Sequence, residues 1–381
     1  YDVNAVRVVI VYRESSPVTD HLYAAVGTVT GGGTNTISFG TTVAVKSSTT
    51  RYPGIVYLAA TNKMVILWHI DSGTYNGEAV CGTTDAGGET ITFGTEVTVN
   101  AGRSYYLDRG CFYDPDTERV IACFMDYNDS ENGNAVVIEN TTGTTLTVST
   151  EYEFNNYDVE FVTATYDTDQ NKGIVMFRDK ADLYLKAVVM TIVGGGTNSI
   201  TMGTEVAAVS VNVFQLQAGF DQTANKTVCM YDDDPNSKGM VVTGTISGTG
   251  ASATSTWDDP LEVVDAYLQY PGYAYDPDAG KSVLCYIDGS DSESGHSRVF
   301  TVGYGSTNMT TENYIGISDA AYSSSATATI QIVSAVDDAQ SSLTPGQTYY
   351  ISFDGSLVLA PVDPSVVAGT AVSATQLIVK G

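Results

Sequence analysis

Three short stretches of the sequence carry two aspartates separated by one residue: "YDPDTER", "YDTDQNK" and "YDPDAGK". Calcium sites use oxygen-rich loops of this kind, and glycoside hydrolysis uses two carboxylates that converge across a cleft. An aspartate at the start of a tight turn has a third use, because its carboxylate accepts hydrogen bonds from backbone amides of the turn. The pairs are Asp114 with Asp116, Asp167 with Asp169, and Asp276 with Asp278.

The acidic stretch belongs to an internal repeat, and a comparison of the copies distinguishes the three possible roles of the aspartates. Copies such as "YLAATNK" at Tyr57 and "FDQTANK" at Phe220 lack the pair, whereas a metal or catalytic site would need it. We therefore predict that the six pair aspartates form structural turns and that none of them is catalytic. The copies are 53 to 56 residues apart and start near residues 1, 57, 113, 166, 220 and 275.

Two longer polar loops are better candidates for a cation. They are "DYNDSEN" and "DGSDSES", and calcium is the one cofactor that they suggest. The three histidines fall in different repeats without the spacing of a zinc site, and no phosphate-binding loop occurs. The candidate metal ligands are therefore Asp126, Asp129, Asp288 and Asp291.

Each acidic turn is followed by an apolar run, a variable polar loop, a third strand, a Gly/Thr-rich turn and a fourth strand. The segment before each turn supplies the first strand. Four strands in about 50 residues are the size of a propeller blade. The sequence thus predicts an all-β protein with a β-propeller of six four-stranded blades.

The first and last parts of the repeat region differ from the rest. The first copy starts at Tyr1, so its blade has three strands of its own and an unpaired edge. The alternating run Ala326 to Val336, a neighbouring chain or further residues could fill that edge. We therefore predict a propeller over residues 1–325, followed by a ring-closing strand and a small C-terminal β-module over residues 326–381.

A binding site would use the variable loops, where exposed tyrosine, asparagine and aspartate side chains can stack on and hydrogen-bond to a cell-surface glycan. Tyr75 and Tyr127 are the ligand-binding candidates in these loops. The arginines are few and scattered along the chain, which predicts that an anionic sugar would lack its usual clamp.

The charge of the chain limits its partners. Seventeen basic and 44 acidic side chains give a net charge of −27, which would repel nucleic acid. No apolar stretch has the length of a membrane span.

The C-terminal part carries "LTPGQTYYISFDGSL" and "SVVAGTAVSATQLIVKG". With these motifs, the segment from Ser318 onward resembles the C-terminal segment of tail-fibre-like and other virion structural proteins of marine bacteriophages. The resemblance implies a surface-exposed appendage protein in a virion or outside the cell, with other appendage subunits as partners in a homo-oligomer. It brings no catalytic residues with it.

We therefore predict a non-enzymatic protein for host-surface attachment or display. One alternative is a structural filament or decoration subunit that assembles by strand complementation. A second alternative is a carbohydrate-active enzyme.

Overall fold

Each apolar run that follows an acidic turn is the second strand of an antiparallel sheet. The structure is a computed structural model that divides the chain into two units, Tyr1–Thr301 and Val302–Gly381. It describes residues 1–2, 5–15, 20–30, 36–73, 75–85, 87–195, 198–291, 294–302, 314–320, 322, 327–351, 355–359, 361 and 366–380.

The first unit contains six sheets in chain order. Sheet 1 has β1 Val8–Glu14, β2 His21–Thr30, β3 Thr36–Phe39 and β4 Val43–Lys46. Sheet 2 has β5 Thr50–Leu58, β6 Lys63–Ile70, β7 Gly77–Thr84, β8 Ile91–Phe93 and β9 Val97–Asn100. Sheet 3 has β10 Ser104–Tyr105, β11 Cys111–Asp114, β12 Arg119–Asp126, β13 Asn132–Thr142, β14 Thr145–Val148 and β15 Tyr152–Asn155.

Sheets 4 to 6 continue the same order. Sheet 4 has β16 Val159–Asp167, β17 Lys172–Asp179, β18 Leu185–Val193, β19 Ser199–Met202 and β20 Val206–Val209. Sheet 5 has β21 Val213–Asp221, β22 Lys226–Asp233, β23 Lys238–Ser247, β24 Thr254–Trp257 and β25 Leu261–Val264, with a 3₁₀ turn at Gly250–Ser252. Sheet 6 has β26 Leu268–Asp276, β27 Lys281–Asp288 and β28 Ser294–Phe300.

The predicted four-strand repeat is present with local differences. In sheets 1 to 5 the fourth strand is broken in two, and both pieces pair with the third strand. In sheet 3 the first strand is also broken, into β10 and β11. Among the described residues sheet 1 has no first strand, as predicted, and sheet 6 has three strands. The predicted fourth strand of sheet 6 falls within residues 303–313, which lie outside the described residues.

The core consists of apolar layers between successive sheets. Trp68 packs with Leu22 of the sheet before it, while its neighbour Leu67 packs with Phe124 of the sheet after it. Phe177 and Met176 divide in the same way between sheets 3 and 5. Because the second strands are buried on both faces, they are apolar almost throughout. Sheets stacked face to face in chain order make the first unit a β-propeller.

The second unit starts at Val302, and its residues Tyr314 and Ile317 pack against the core of the C-terminal sheet. The predicted boundary between residues 325 and 326 lies outside the described residues, so it stays a prediction.

The strands of the second unit are short. β29 Ile317–Ser318 pairs with β30 Ile330–Gln331. β31 Val336–Asp337, β32 Thr348–Ile351, β33 Leu357–Val358, β34 Val367–Ala371 and β35 Leu377–Val379 form an antiparallel sheet in the order β31-β35-β34-β32-β33. The described part of the predicted ring-closing segment thus pairs within its own unit, and closure of the ring by this segment stays a prediction. No helix in the described ranges is long and apolar enough to span a membrane.

Candidate functional site

The acidic stretches lie at one end of the sheets, where the first strand turns into the second. We call this the turn end. Asp114 Oδ1 accepts hydrogen bonds from the amides of Asp116 and Thr117, at 2.9 and 3.4 Å. Asp167 and Asp276 accept the equivalent pairs of amides from Asp169 and Gln170, and from Asp278 and Ala279. The second aspartates, Asp116, Asp169 and Asp278, are exposed.

The sixth residue of every stretch has a positive φ, which closes the turn onto the second strand. The backbone therefore has the same conformation at this position in all six copies, although the side chains differ. These residues are Val6, Asn62, Glu118, Asn171, Asn225 and Gly280, with φ between 49° and 60°. The hydrogen bonds and the common backbone support a structural role for the pair aspartates.

The four calcium candidates lie at the opposite end, in loops after the second strands. Asp126 accepts the amide of Asn128 at 2.9 Å, and Asp288 accepts the amide of Ser290 at 2.8 Å. Asp129 is exposed, and Asp291 lies 3.2 Å from His296 Nε2. In the part of the chain that the structure describes, no three metal-ligating side chains come together. Calcium binding therefore receives no support from these loops.

This opposite end, which we call the cavity end, contains a repeated feature of the first strands. Register shifts interrupt β5, β16, β21 and β26 near their starts. Such a bulge inserts a residue and redirects its side chain. The residues at the bulges, together with Tyr106 at the break in sheet 3, all have φ between 47° and 71°: Tyr52, Tyr106, Phe161, Gln215 and Tyr270.

These five bulge residues line one cavity of about 470 Å³. Because all six sheets contribute to its wall, the cavity lies where the first strands meet. Four of the five bulge residues are aromatic, and Tyr270 has 63% of its surface exposed. The full lining is Arg13, Arg51, Tyr52, Pro53, Tyr106, Asp108, Arg109, Phe161, Gln215 and Tyr270.

The aromatic side chains of the cavity form a connected series. Ring centroids of Tyr52 and Tyr106 are 5.7 Å apart, those of Tyr106 and Phe161 are 5.8 Å apart, and Phe161 meets Phe214 at 5.4 Å. Such separations are those of favourable aromatic pairs. The guanidinium of Arg178 lies 4.0 Å from the Phe214 ring centroid, and this cation–π contact stabilises the end of the series. Burial raises the pKa of Tyr106 to about 12, so its hydroxyl stays protonated.

The arginines are not scattered in space, and this corrects the expectation from the sequence. Arg13, Arg51 and Arg109 line the cavity together, because the repeat brings positions far apart in the chain to one axis. Each also has an acidic neighbour: Arg13 lies 3.5 Å from Asp20, Arg109 lies 3.6 Å from Asp108, and Arg51 pairs with Asp71. The cavity therefore combines aromatic faces with guanidinium groups.

Asp108 is the carboxylate of this lining. Water reaches 29% of its side chain from the cavity. The surrounding protein atoms nevertheless desolvate the carboxylate, which raises the pKa of Asp108 against the opposing effect of Arg109.

Tyr75 and Tyr127, the predicted ligand-binding residues, lie at the cavity end and share a partner. The guanidinium of Arg103 is 4.0 Å from the Tyr75 ring centroid and 5.3 Å from that of Tyr127. Tyr105 connects this group to the cavity, since its ring centroid is 6.0 Å from Tyr127 and 5.4 Å from Tyr52. The structure thus brings the two tyrosines together around an arginine.

The penultimate residue of the second strand bridges to the next sheet in three repeats. His69 Nδ1 accepts the amide of Ser104 at 3.3 Å, Arg178 donates to the carbonyl of Val213 at 3.3 Å, and Asp232 accepts the amide of Leu268 at 2.9 Å. Burial lowers the pKa of His69 to about 4 and raises that of Asp232 to about 6. His69 is fully buried, as expected for a packed histidine.

The bulge residues are not among the candidates predicted from the sequence, although the spacing within the repeats contains a signal for them. Seven positions separate Tyr106 from Tyr113, whereas five separate Tyr52 from Tyr57 and Phe161 from Tyr166. The longer segment of the third repeat contains Asp108 and Arg109, which line the cavity. The longer spacing of the third repeat, in an otherwise regular series, therefore indicates where the cavity lies.

No family model matches this chain, and no curated protein sequence matches it significantly. Among solved structures it is similar to AofleA from Arthrobotrys oligospora, with 11% identity, a TM-score of 0.48 and coverage of 80% of this chain and 85% of that one. It is also similar to the periplasmic gluconolactonase PpgL from Pseudomonas aeruginosa, at 11% identity and TM-score 0.39, covering 78% and 97%. For TolB from Acinetobacter baumannii the values are 11%, 0.38, 78% and 64%. At these sequence identities and TM-scores, the similarities support no conclusion about function.

Proposed function

We propose that this chain is a non-enzymatic appendage protein whose propeller attaches to a carbohydrate at a cell surface. The observation that carries the proposal is the set of aromatic bulge residues around the cavity. Aromatic rings bind the apolar faces of sugars, while guanidinium groups donate hydrogen bonds to their oxygens. The resemblance of the C-terminal segment supports the setting of a virion or an extracellular appendage.

The lining of the cavity favours binding over hydrolysis. A glycosidase places two carboxylates on either side of the scissile bond, whereas Asp108 is the one carboxylate among the described residues of the lining. Residues held in strained backbone conformations cluster at ligand sites, and the positive φ values of the bulge residues fit that pattern.

The proposal is tested with the full chain on an array of cell-surface glycans, followed by titration calorimetry of the best ligand. Tyr270→Ala removes an exposed ring from the cavity, and Tyr322→Ala removes an exposed ring from the second unit. We expect the first change to weaken binding about tenfold, which corresponds to about 1.4 kcal/mol, and the second to leave it unchanged. Equal losses in both variants, or no retained glycan, would contradict the proposal.

A second candidate function is assembly by strand addition, and the free edge of sheet 1 favours it. No described strand pairs with the edge of β1 opposite β2, and Ile10 on that strand is 38% exposed. An unpaired edge accepts a strand from another chain unless a charge blocks it.

Sedimentation of the full chain over a range of concentrations tests this candidate. We expect association that Ile10→Lys abolishes and that Val29→Lys, on the exposed part of β2, leaves intact. A monomer at every concentration would exclude it.

A further inference from the structure

Five of the eight arginines in this acidic chain lie at the cavity end. Arg13, Arg51 and Arg109 line the cavity, Arg178 supports its aromatic series, and Arg103 lies between Tyr75 and Tyr127. Because a net charge of −27 repels anions over most of the surface, an anion needs a guanidinium group that is not already paired with a carboxylate.

Arg103 differs from the other four arginines in its partners. The others each lie within 4 Å of a carboxylate, whereas Arg103 has none within that distance in the described ranges. Its guanidinium stacks on tyrosine rings instead. Tyr75 and Tyr105 also form side-chain hydrogen bonds with Arg103. A guanidinium has five N–H donors in the fork geometry that suits carboxylates and sulfates, so these two bonds leave donors for an anion.

The rings between Arg103 and the cavity form a continuous path. Tyr127 lies beside Arg103, Tyr105 follows at 6.0 Å, and Tyr52 in the cavity wall follows at 5.4 Å. The path is therefore longer than the cavity alone. A ligand that occupies both ends must be a chain with several rings and not a single sugar.

We propose that the ligand is an anionic saccharide chain, which fills the cavity with one part and places a carboxylate or sulfate group against Arg103 with another. This inference rests on the proposed function and names the class of its carbohydrate. Tyr105 and Tyr127 contact the sugar rings between the two ends.

The test uses calorimetry with three hexasaccharides of different charge: an oligogalacturonate, a carrageenan fragment and a neutral β-1,4-galactan. The carboxylated and sulfated chains distinguish the two sources of negative charge. We expect at least one of them to bind tenfold more tightly than the neutral chain at low salt. This advantage should shrink at high salt, because exposed charges are screened.

Arg103→Gln and Arg298→Gln form a matched pair, since Arg298 also has no carboxylate within 4 Å among the described residues and bonds Tyr286 instead. We expect Arg103→Gln to weaken the anionic hexamer three- to tenfold without changing the neutral hexamer, and Arg298→Gln to change neither. An anionic disaccharide, which fills only the cavity, should be insensitive to both changes.

Equal affinity for neutral and anionic hexamers would overturn the inference, as would equal losses in the two arginine variants. In either case the proposed function would stand, because a carbohydrate is still bound. If no saccharide binds, both fall.

Discussion

The turn end and the cavity end of the first unit differ in how much the repeats vary. At the turn end five repeats have an aspartate at the same position, and its carboxylate accepts turn amides in each. At the cavity end the bridging position holds histidine, arginine or aspartate, and the bulge position holds tyrosine, phenylalanine or glutamine. Side chains are thus constant where they fix the turn backbone, and they vary at the bulges that line the cavity and at the buried bridging position.

The largest expected effect belongs to the turn end. Asp114 is buried and accepts three hydrogen bonds, two from amides and one at 2.6 Å from the Thr117 hydroxyl. Asp114→Ala leaves these donors unpaired, and we expect it to lower the free energy of unfolding by about 3 kcal/mol. Urea unfolding measures the loss, and the exposed neighbour variant Asp116→Ala should cost less than about 0.5 kcal/mol. A similar loss in both variants would mean that the turn has no special contact at Asp114.

The second prediction concerns Asp232 at the cavity end. Its pKa is about 6 in the folded chain and 3.8 ordinarily, so the folded state holds a proton that the unfolded state loses between these values. Stability from this residue is therefore complete below pH 3.8 and is lost as the pH rises through 6. Relative to Asp232→Asn, we expect the parent chain to lose about 3 kcal/mol of stability across this window, measured by thermal unfolding at each pH.

His69 lies at the equivalent position, and its contribution to stability changes with pH in the opposite direction. It therefore provides a second test of this prediction. Its pKa falls from 6.5 to about 4 on burial, so its contribution is complete above pH 6.5 and is lost as the pH falls through 4. Because His69→Asn removes this opposing contribution, the stability of the variant should fall more with rising pH than that of the parent chain does. Parallel pH curves for the parent and both variants would show that the bridging residues do not set the pH dependence.

The third prediction separates charge from shape in the cavity. Asp108→Asn removes the carboxylate of the lining while preserving its size, and we expect anionic saccharides to bind about fivefold more tightly, or about 1 kcal/mol. Because the pKa of Asp108 is raised, the parent chain should also gain affinity for anions as the pH falls and this acid takes up its proton. Calorimetry of the parent and the variant at two pH values measures both effects. Unchanged binding of a neutral saccharide is the control.

The smallest expected effect comes from replacing the non-aromatic bulge residue with an aromatic one. Gln215 is the one bulge residue in this set without a ring, and its side chain accepts the amide of Tyr270 at 3.3 Å. Gln215→Tyr adds a stacking surface but loses this hydrogen bond, so we expect a gain in saccharide affinity of only about threefold. A decrease would indicate that the amide contact matters more than the added ring.

The sequence predicted the turn end better than the cavity end, and the reason is physical. Aspartate and proline are typical turn residues, so "YDPD" indicates its own conformation. At the bulges the positive φ belongs to tyrosine, phenylalanine and glutamine, which give no local signal for it. The arginines of the cavity lie far apart in the chain, and only alignment on the repeat brings them together.

The bulges also bear on how this protein can change over generations. In each bulge the ladder of the first and second strands resumes on both sides, so the inserted residue contributes little to strand pairing. Substitutions at these few positions can therefore accumulate without unfolding the scaffold. If the proposed function holds, substitutions at a handful of codons would change which carbohydrate is bound, while the turn aspartates continue to fix the backbone.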